Sequence, residues 1–461
     1  MLIYNNLIIN WKSKQFVPFL LNLVSGRRRL LSSDEIPIIK KILAGEQFDE
    51  QMQGFFEKLI QEKQFITDEG RKKIEDSLER VGYWEKRKRY AEDYRFSIEL
   101  TRSCNMNCQF CYAALRHETQ PMTEEKIDAI FSFYQKYTDS PGKIDSTPII
   151  RITGGEPLVN EETARLIQYI ADKWRQAKLL LFTNGVNLLK YYHLLPLERI
   201  EEVHVSLDGP AEIHMRHRYS RPVPDYAIYE NILKGIERLI ADHVNVKVKT
   251  LVDRYNYLHI PELRQLLRER SILDSCYCEQ LVGITLDYEN RYEIMDRVND
   301  IQDISKIESY LRTLGIPCST YPNASILQQM MSRLENSPYM PKCTRCKFEL
   351  LSNYFFSCDG EVYLCDMIGD EYGVLGSYYP EAELDFNAVE ALYNRTIFSD
   401  PKCAKCTYKF VCLGGCPHSA NAKKEKMNCS IFSNEEILDN LEFDYSMIVQ
   451  RRYQEKWHET N

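Results

Sequence analysis

The sequence lacks any apolar run that could cross a membrane. The run around residues 16–24 is interrupted by Pro18 and Asn22, and it is far shorter than the ~20 residues that a membrane-spanning helix needs. The first residues, MLIYNNLIINWKSKQ, contain neither a basic segment nor a small-residue cleavage site, so no signal peptide is expected. The sequence therefore predicts a cytoplasmic protein without a membrane partner.

The sequence also lacks an excess of basic residues. Lysine and arginine number 59 against 67 aspartates and glutamates, and the net charge of −8 argues against a nucleic-acid partner. Hydrophobic residues make up 44% and charged residues 27%, which is ordinary for a globular protein. Cysteine, in contrast, is abundant, with 15 residues. In a reducing compartment so many cysteines favour metal ligation over disulfides.

Residues 95–300 alternate apolar strands with amphipathic helices. The strand-like segments are YRFSIELT, TPIIRIT, AKLLLFT, EEVHVSL, VNVKVKTLV and YCEQLVGI. Near-continuous apolar strands joined by helices indicate a parallel sheet that is covered by helices. The six units predict an α/β fold, a partial (β/α)6 barrel similar to a TIM barrel, with its ligands at the C-terminal edge of the strands.

The segments on either side of this unit differ from it in pattern. Residues 1–90 combine two strand-like runs with helices, and the first helix is signalled by the capping-box spacing of Ser32 and Glu35. This order predicts a small α+β domain of winged-helix-like type; a simple packing cap on the barrel is the alternative. The rest of the chain is expected to form a helical connection, a cysteine-rich domain stabilised by metal clusters and a C-terminal tail, at residues 301–340, 341–435 and 436–461.

Three cysteines are close together directly after the first predicted strand. Cys104, Cys108 and Cys111 lie in the stretch ELTRSCNMNCQFCYAAL, and the next cysteine is Cys276. A structural zinc site needs four ligands, whereas three local thiolates suit a [4Fe–4S] cluster with one iron atom left without a protein ligand. The alternative is a zinc site that borrows Cys276 or Cys278. We expect those two cysteines to be small core residues instead, although they could also line the cavity.

Glycine and polar residues follow three of the predicted strands. In RITGGEPLV, Gly154 and Gly155 allow the backbone to approach a ligand closely, and Glu156 offers a carboxylate to an amine. The segments FTNG, with Asn184, and SLDGP, with Ser206, end two further strands. A tight turn alone would also explain the glycines. Their common position at strand ends predicts a ligand site there.

Taken together, the cysteine triad followed by Tyr112, the GGEP, the TNG and the SLDG resemble the radical S-adenosylmethionine (radical SAM) superfamily over residues 95–290. The resemblance implies that the three cysteines hold a [4Fe–4S] cluster whose free iron binds S-adenosylmethionine. Cleavage of this cofactor then yields a 5′-deoxyadenosyl radical that abstracts hydrogen from a substrate. The cofactor-binding residues that the resemblance implies are Gly154, Gly155, Glu156, Asn184, Ser206 and Arg218. One departure is HMRHR, which has Met215 where the family often has aspartate.

The C-terminal cysteines resemble the SPASM extension of radical SAM enzymes, which binds auxiliary [4Fe–4S] clusters. The resemblance implies two sets of ligands. One set comprises Cys403, Cys406, Cys412 and Cys429. The other comprises Cys346, Cys365, Cys416 and one more cysteine, for which Cys343 is favoured over Cys358. A pair of zinc sites is the alternative.

These resemblances imply a peptide-modifying enzyme. The first hypothesis is a maturase that forms a thioether or carbon–carbon cross-link in a ribosomally made precursor peptide, whose leader the N-terminal domain binds by strand addition. The second is oxidation of a protein Cys or Ser to formylglycine, in which Asp366 is the candidate catalytic base. The third is a non-catalytic metal-binding adaptor. Both enzyme hypotheses imply a reducing partner such as flavodoxin or ferredoxin.

Overall fold

The computed structural model divides the chain into two compact units. One unit comprises residues 1–84, 320–346 and 394–461, and the other comprises residues 85–319 and 347–393. The residues that the structure describes are 6–9, 18–22, 28–47, 49–62, 64–65, 69–70, 72–78, 80, 95–108, 110–111, 120–138, 148–219, 225–284, 306–307, 309–311, 313–316, 318–319, 354–365, 373–415, 417, 420 and 426–427.

The first unit begins with a small α+β arrangement. Its antiparallel sheet has the order β1-β2-β3, and two helices follow it. The elements are β1 (Asn6–Ile9), β2 (Phe19–Asn22), β3 (Arg28–Leu30), α1 (Glu35–Ala44) and α2 (Glu50–Gln61). Apolar residues from these elements and from the adjoining segments form one buried cluster, which includes Leu20, Ile39, Ile42, Phe56 and Leu59.

The start of α1 contains one of the two hydrogen bonds of the predicted capping box. The Glu35 carboxylate accepts a hydrogen bond from the Ser32 backbone N–H at 2.9 Å, which satisfies one of the donors that a helix start leaves without a partner. The residue next to the helix is Asp34, whose side chain makes no capping bond. In α2 the cap is conventional, since Asp49 accepts from the Met52 N–H at 2.7 Å.

The second unit contains the six predicted parallel strands, and all six are confirmed. They are β4 (Arg95–Glu99), β5 (Ile149–Thr153), β6 (Lys178–Thr183), β7 (Ile200–Ser206), β8 (Asn245–Val252) and β9 (Cys278–Ile284). The helices between them are α3 (Glu124–Thr138), α4 (Glu161–Lys173), α5 (Leu188–Tyr191), α6 (Ala211–Tyr219), α7 (Tyr226–Ala241) and α8 (Ile260–Glu269). The three longest helices of this set lie where the amphipathic pattern predicts them.

The two faces of this sheet differ in character. On β8, Val246 and Val248 are buried in the same apolar cluster as helix residues such as Ile170. Lys247 and Lys249 alternate with them and are half-exposed. Helices therefore cover one face of the sheet, and the other face is polar and partly open.

Further strands extend the sheet at both ends, which the sequence did not predict. The short strand β10 (Cys318–Ser319) pairs in parallel with β9, and β11 (Phe355–Phe356) pairs in parallel with β4. Beyond β11 lie three antiparallel strands and a helix: β12 (Glu361–Tyr363), β13 (Val374–Ser377), β14 (Glu383–Leu384) and α9 (Phe386–Tyr393). Among the described strands the order does not close into a ring, and part of the C-terminal segment belongs to the same sheet as the strand that precedes the cysteine loop.

The remainder of the first unit carries cysteines on two short helices, α10 (Pro401–Lys405) and α11 (Lys409–Cys412). The Asp400 side chain caps α10 by accepting from the Lys402 and Cys403 N–H groups at 2.8 and 3.2 Å. Lys409 is 1% exposed, and its ammonium forms an ion pair with Glu75 of the N-terminal segment. In the part of the chain that the structure describes, no helix combines the length and apolar character that crossing a membrane requires.

Candidate functional site

The three cysteines of the triad follow β4 on one loop, where the sequence places them. Cys104 is exposed, and Cys108 and Cys111 are partly buried. The Met106 backbone N–H and the Asn184 side-chain amide donate to the Cys104 sulfur at 3.4 and 3.8 Å. Hydrogen bonds to sulfur stabilise a thiolate, which is the form that binds a metal.

The Gly-Gly-Glu turn after β5 packs directly on this cysteine loop. The Gly155 N–H donates to the Thr101 carbonyl at 2.6 Å, and the Glu156 N–H donates to the Ser103 carbonyl at 3.0 Å. A Cβ atom on Gly154 would lie 2.5 Å from the backbone carbonyl oxygen of Thr101. One on Gly155 would lie 2.4 Å from the backbone carbonyl oxygen of Ser103. The glycines therefore permit close contact with the loop that carries the cysteines, and not only the approach of a ligand.

Glu156 is buried, and its carboxylate is largely occupied by protein donors. One oxygen accepts from the Leu158 N–H at 2.9 Å and the Thr183 hydroxyl at 2.6 Å, and the other accepts from the Asn184 N–H at 2.6 Å. Burial raises the pKa of Glu156 to about 7, although these bonds oppose the rise. A carboxylate has about four acceptor positions, and the donors in the described part of the chain fill three of them, which leaves one for a ligand amine.

Asn184 connects the end of β6 to the cysteine loop. Its side-chain amide donates to the Asn105 side-chain oxygen at 2.7 Å, in addition to its contact with the Cys104 sulfur. The next residue, Gly185, has φ +82°, and a Cβ there would lie 2.9 Å from Val205. The asparagine of TNG thus holds the loop, and the glycine permits the turn.

Arg218 lies beside the cysteine loop but is bound to an acidic residue. Its guanidinium donates to both oxygens of Asp208, at 2.6 and 3.1 Å, and its Cζ lies 5.3 Å from the centre of the Phe110 ring. Ser206 is predicted together with Arg218 to bind the carboxylate or ribose of the cofactor. It is half-exposed at the C-terminal end of β7. Both residues are therefore near the strand ends, although Arg218 is engaged in the protein.

The structure also brings together three residues that the sequence analysis missed. His217 pairs through one ring nitrogen with Asp208 at 2.7 Å and through the other with Asp253 at 3.1 Å, and its ring centre lies 4.5 Å from that of Phe110. Burial lowers the pKa of His217, but the charges of the two carboxylates and the hydrogen bonds to them outweigh burial and raise it to about 9. His217 is thus a buried imidazolium. The only sequence signal was the second histidine of HMRHR.

The departure at Met215 also has a structural explanation. Met215 is fully buried in the main apolar cluster, where an uncompensated carboxylate would be unfavourable. The neighbouring His214 is fully buried as well, and its Nδ1 accepts the Asp208 backbone N–H at 3.2 Å. Burial lowers the pKa of His214 to about 3, so its ring is neutral.

The donor set fits an iron–sulfur cluster. Although Cys104 is exposed as a residue, desolvation by the surrounding protein raises the pKa values of Cys104 and Cys108 to about 11 and 12. The negative charges of Glu156, Asp208 and the neighbouring thiols add to this rise, whereas Arg218 opposes it at Cys108. A bound cationic cluster relieves this mutual repulsion. Within the described ranges no three ligand-type side chains converge on one point. The loop nevertheless supplies three thiolates, and a cubane offers a separate iron atom to each sulfur.

The C-terminal cysteines are only partly described. Cys358 is fully buried, and its thiol donates to Glu99 at 3.4 Å. Cys365 follows β12, Cys403 lies on α10, and Cys406 ends that helix. Of Cys412 the structure describes only the backbone. The predicted residues outside the described part of the chain are Tyr112, Cys343, Cys346, Asp366, Cys416 and Cys429. Of the two cysteines in the sixth strand region, Cys278 is partly buried, but Cys276 is exposed and is therefore not the core residue that we expected.

Comparison with known protein families identifies part of the chain. The family described as the Radical SAM superfamily matches residues 98–267. Among curated proteins, GTP 3′,8-cyclase of Campylobacter jejuni subsp. doylei is 26% identical over 155 residues, which make up 33% of this chain and 45% of the relative. The chain thus spans about half the length of that relative. The AdoMet-dependent heme synthase of Oleidesulfovibrio alaskensis is 23% identical over 338 residues, or 69% of this chain and 81% of the relative.

Two solved structures resemble the chain over most of its length. The structure of native anSMEcpe with bound AdoMet has a TM-score of 0.53 at 16% identity and covers 78% of this chain and 98% of its own. Streptococcus suis SuiB bound to precursor peptide SuiA has a TM-score of 0.53 at 14% identity and covers 92% of this chain and 98% of its own. At these identities the likeness concerns the fold. Residues 98–267, with the cysteine loop at the end of the first parallel strand, belong to the radical SAM superfamily.

Proposed function

We propose that this protein modifies a ribosomally made precursor peptide by radical hydrogen abstraction and forms a thioether or carbon–carbon cross-link. Membership of the radical SAM superfamily already implies a [4Fe–4S] cluster and S-adenosylmethionine. The peptide substrate and the bond formed are the proposed part. The observation that supports them is coverage: the SuiB structure with its precursor peptide covers 92% of this chain, and anSMEcpe covers 78%.

The N-terminal segment supplies a surface for a leader peptide in this proposal. Residues 1–90 act as a winged-helix-like domain. In the described part of this segment, β1 and β3 each pair only with the central β2, so each offers an open edge. Strand addition at such an edge gives affinity through backbone hydrogen bonds, largely independently of the side chains of the peptide.

The cofactor site consists of the loop after β4 and the strand ends beside it. Cys104, Cys108 and Cys111 hold the cluster, which together with S-adenosylmethionine supplies the 5′-deoxyadenosyl radical when both are bound. Glu156, with its one remaining acceptor position, binds the cofactor amine, and the Gly154–Gly155 backbone flanks it. Asn184 orients the cysteine loop, and Ser206 and Arg218 bind the carboxylate or ribose of the cofactor. The open polar face of the sheet then receives the substrate.

The proposal also assigns the other domains, the ligands of the auxiliary clusters and the electron donor. Residues 95–300 form the radical SAM core, residues 301–340 a connection, residues 341–435 the auxiliary cluster domain and residues 436–461 a tail. The auxiliary clusters take Cys403, Cys406, Cys412 and Cys429 in one set. They take Cys343, Cys346, Cys365 and Cys416 in the other. Burial of the Cys358 thiol against Glu99 supports the choice of Cys343. A flavodoxin or ferredoxin in the cytoplasm supplies electrons.

A second candidate function is oxidation of a protein Cys or Ser to formylglycine. The likeness to anSMEcpe favours it, since that protein has also been solved with AdoMet and the Kp18Cys peptide, at a TM-score of 0.52. Asp366, beside Cys365, serves as the base in this candidate. The N-terminal segment disfavours it, because such an oxidation needs no leader-binding domain. The intact cysteine triad and the GGEP turn speak against a non-catalytic metal-binding adaptor.

The test is anaerobic incubation of the full chain with a chemical reductant, S-adenosylmethionine and any small cysteine-rich peptide that is encoded beside the gene, as the candidate precursor peptide. We expect deoxyadenosine and a peptide that has lost two hydrogens, and fragmentation locates the new bond. A variant with Ala at Cys104, Cys108 and Cys111 is the control and should produce neither. Formylglycine in a sulfatase-derived peptide, with the precursor peptide unchanged, would select the second candidate. Absence of cofactor cleavage by reconstituted protein would contradict both.

A further inference from the structure

The cysteine loop is held on its far side by a residue that lies more than 250 positions away in the sequence. Arg102 precedes Cys104 by two residues. Its Nη2 donates to an Asp359 carboxylate oxygen at 2.5 Å and to the Ser357 hydroxyl at 2.8 Å. Its Nε donates to Glu99 at 3.3 Å. A guanidinium that binds three oxygens has little freedom to move, so the backbone of residue 102 is restrained as well.

The turn that carries Asp359 is itself well restrained. It connects β11 to β12, and the Gly360 N–H donates to the Ser357 carbonyl at 3.1 Å. The Tyr378 hydroxyl donates to that carbonyl at 2.7 Å. Gly360 has φ +100°, and a Cβ there would lie 2.6 Å from the backbone carbonyl oxygen of Tyr379. This turn is therefore a rigid support.

A buried charge makes the arrangement sensitive to change. Glu99, the last residue of β4, is fully buried, and one of its oxygens accepts from the Ser357 hydroxyl at 2.5 Å and from the Cys358 thiol at 3.4 Å. Arg102 supplies the positive charge that pairs with it. A buried carboxylate is stable only when it is paired and hydrogen-bonded, so the ion pair with Arg102 is needed to keep the Glu99 carboxylate charged and buried.

We infer that Asp359 positions the cysteine loop through Arg102, which makes the β11–β12 turn part of the cofactor site. On the opposite side, the Gly155 and Glu156 N–H groups bind the carbonyls of residues 101 and 103. The loop is thus fixed between two supports, and the Asp359 side adds a charge-assisted hydrogen bond. The consequence for catalysis rests on the proposed function, in which this loop holds the cluster.

The first test uses cluster-free protein and compares Asp359→Asn with Glu383→Gln. Both variants remove one carboxylate charge from the same extension of the sheet, and Glu383 is exposed on β14. Hydrogen exchange at the Gly155 and Glu156 amides reports whether the loop has loosened. We expect roughly 10-fold faster exchange in Asp359→Asn, and wild-type exchange in Glu383→Gln.

The second test uses reconstituted protein. We expect Asp359→Asn to bind as much iron as wild type but to need roughly 10-fold more S-adenosylmethionine to change the EPR spectrum of the reduced cluster. Asp359→Glu retains the charge and should recover part of the affinity. In an Arg102→Met background, Asp359→Asn should add no further loss, because its partner is already absent.

The outcomes separate the inference from the proposed function. Equal amide exchange in the two single variants would overturn the inference, and so would full additivity with Arg102→Met. Faster exchange in Asp359→Asn, combined with a wild-type protein that neither changes its EPR spectrum nor cleaves S-adenosylmethionine, would support the positioning of the loop but refute the proposed function.

Discussion

Replacing Gly155 with alanine should displace the cysteine loop. The added Cβ would lie 2.4 Å from the Ser103 oxygen and 2.5 Å from the Arg102 oxygen, and both of these are backbone atoms that cannot rotate away. The contact has to open by at least about 0.6 Å before the separation reaches 3.0 Å, the lower limit for such contacts. Because Ser103 precedes Cys104 directly, the movement reaches the first of the three proposed cluster ligands.

Two effects of different size follow from this displacement. Overpacking of a tight contact costs about 1–3 kcal/mol in the free energy of unfolding. Misplacement on the order of 1 Å costs about 100-fold in a rate that depends on geometry, so we expect deoxyadenosine formation to fall by at least roughly 10-fold. The variant should therefore remain folded but lose most of its activity.

Gly54→Ala is the matched control. Gly54 lies in α2, and a Cβ there meets no atom within 4 Å, so alanine should stabilise the helix by about 0.5–1 kcal/mol without affecting activity. Urea unfolding and anaerobic deoxyadenosine assays on both variants provide the comparison. If Gly155→Ala kept wild-type activity and stability, the close contact between the turn and the cysteine loop would not exist as described.

Three further predictions concern other parts of the molecule. Replacing Cys104 with alanine should abolish deoxyadenosine formation, and chromatography that detects the product in this variant would refute the ligand assignment. Glu75→Gln leaves the buried Lys409 ammonium without its carboxylate and should lower the free energy of unfolding by about 3 kcal/mol, measured in urea, whereas Lys409→Met should cost less. His217 has a pKa of about 9 in the folded protein against an ordinary value of 6.5, so its charge stabilises the fold fully below about pH 6.5, and this stabilisation is lost as pH rises towards 9. The difference in stability between wild type and His217→Gln should therefore shrink across that range from at most about 3 kcal/mol, and a constant difference would contradict the ion pairs.

Local patterns in the sequence predicted the central sheet and the position of the cysteine loop. Six apolar runs separated by amphipathic segments correspond to six parallel strands, because period and length alone distinguish a buried strand from a surface helix. The start of α4 is likewise determined by neighbouring residues, since the Asn160 side chain accepts a hydrogen bond from the Thr163 N–H at 2.9 Å and caps the helix. The spacing of the three cysteines is also read from one short segment of the chain.

The roles of individual polar residues were less predictable. The carboxylate of Glu156 was expected to face a ligand, yet it accepts three bonds from residues at or near the ends of two strands. Asp208 and Asp253 were not singled out at all, although they bind His217 between them. A side chain's partners depend on which strand ends become neighbours, and residues far apart in the sequence carry no shared local pattern.

By itself, the amino-acid sequence determined the six central strands, the longest helices and the loop on which three cysteines lie, because the hydrophobic pattern and the residue spacing that signal them repeat over a few positions. Only the tertiary structure decided that β11 pairs with β4 and that Asp359 reaches Arg102. Pairing between distant segments depends on the complete set of competing contacts. The support of the cysteine loop is therefore a property of the folded chain.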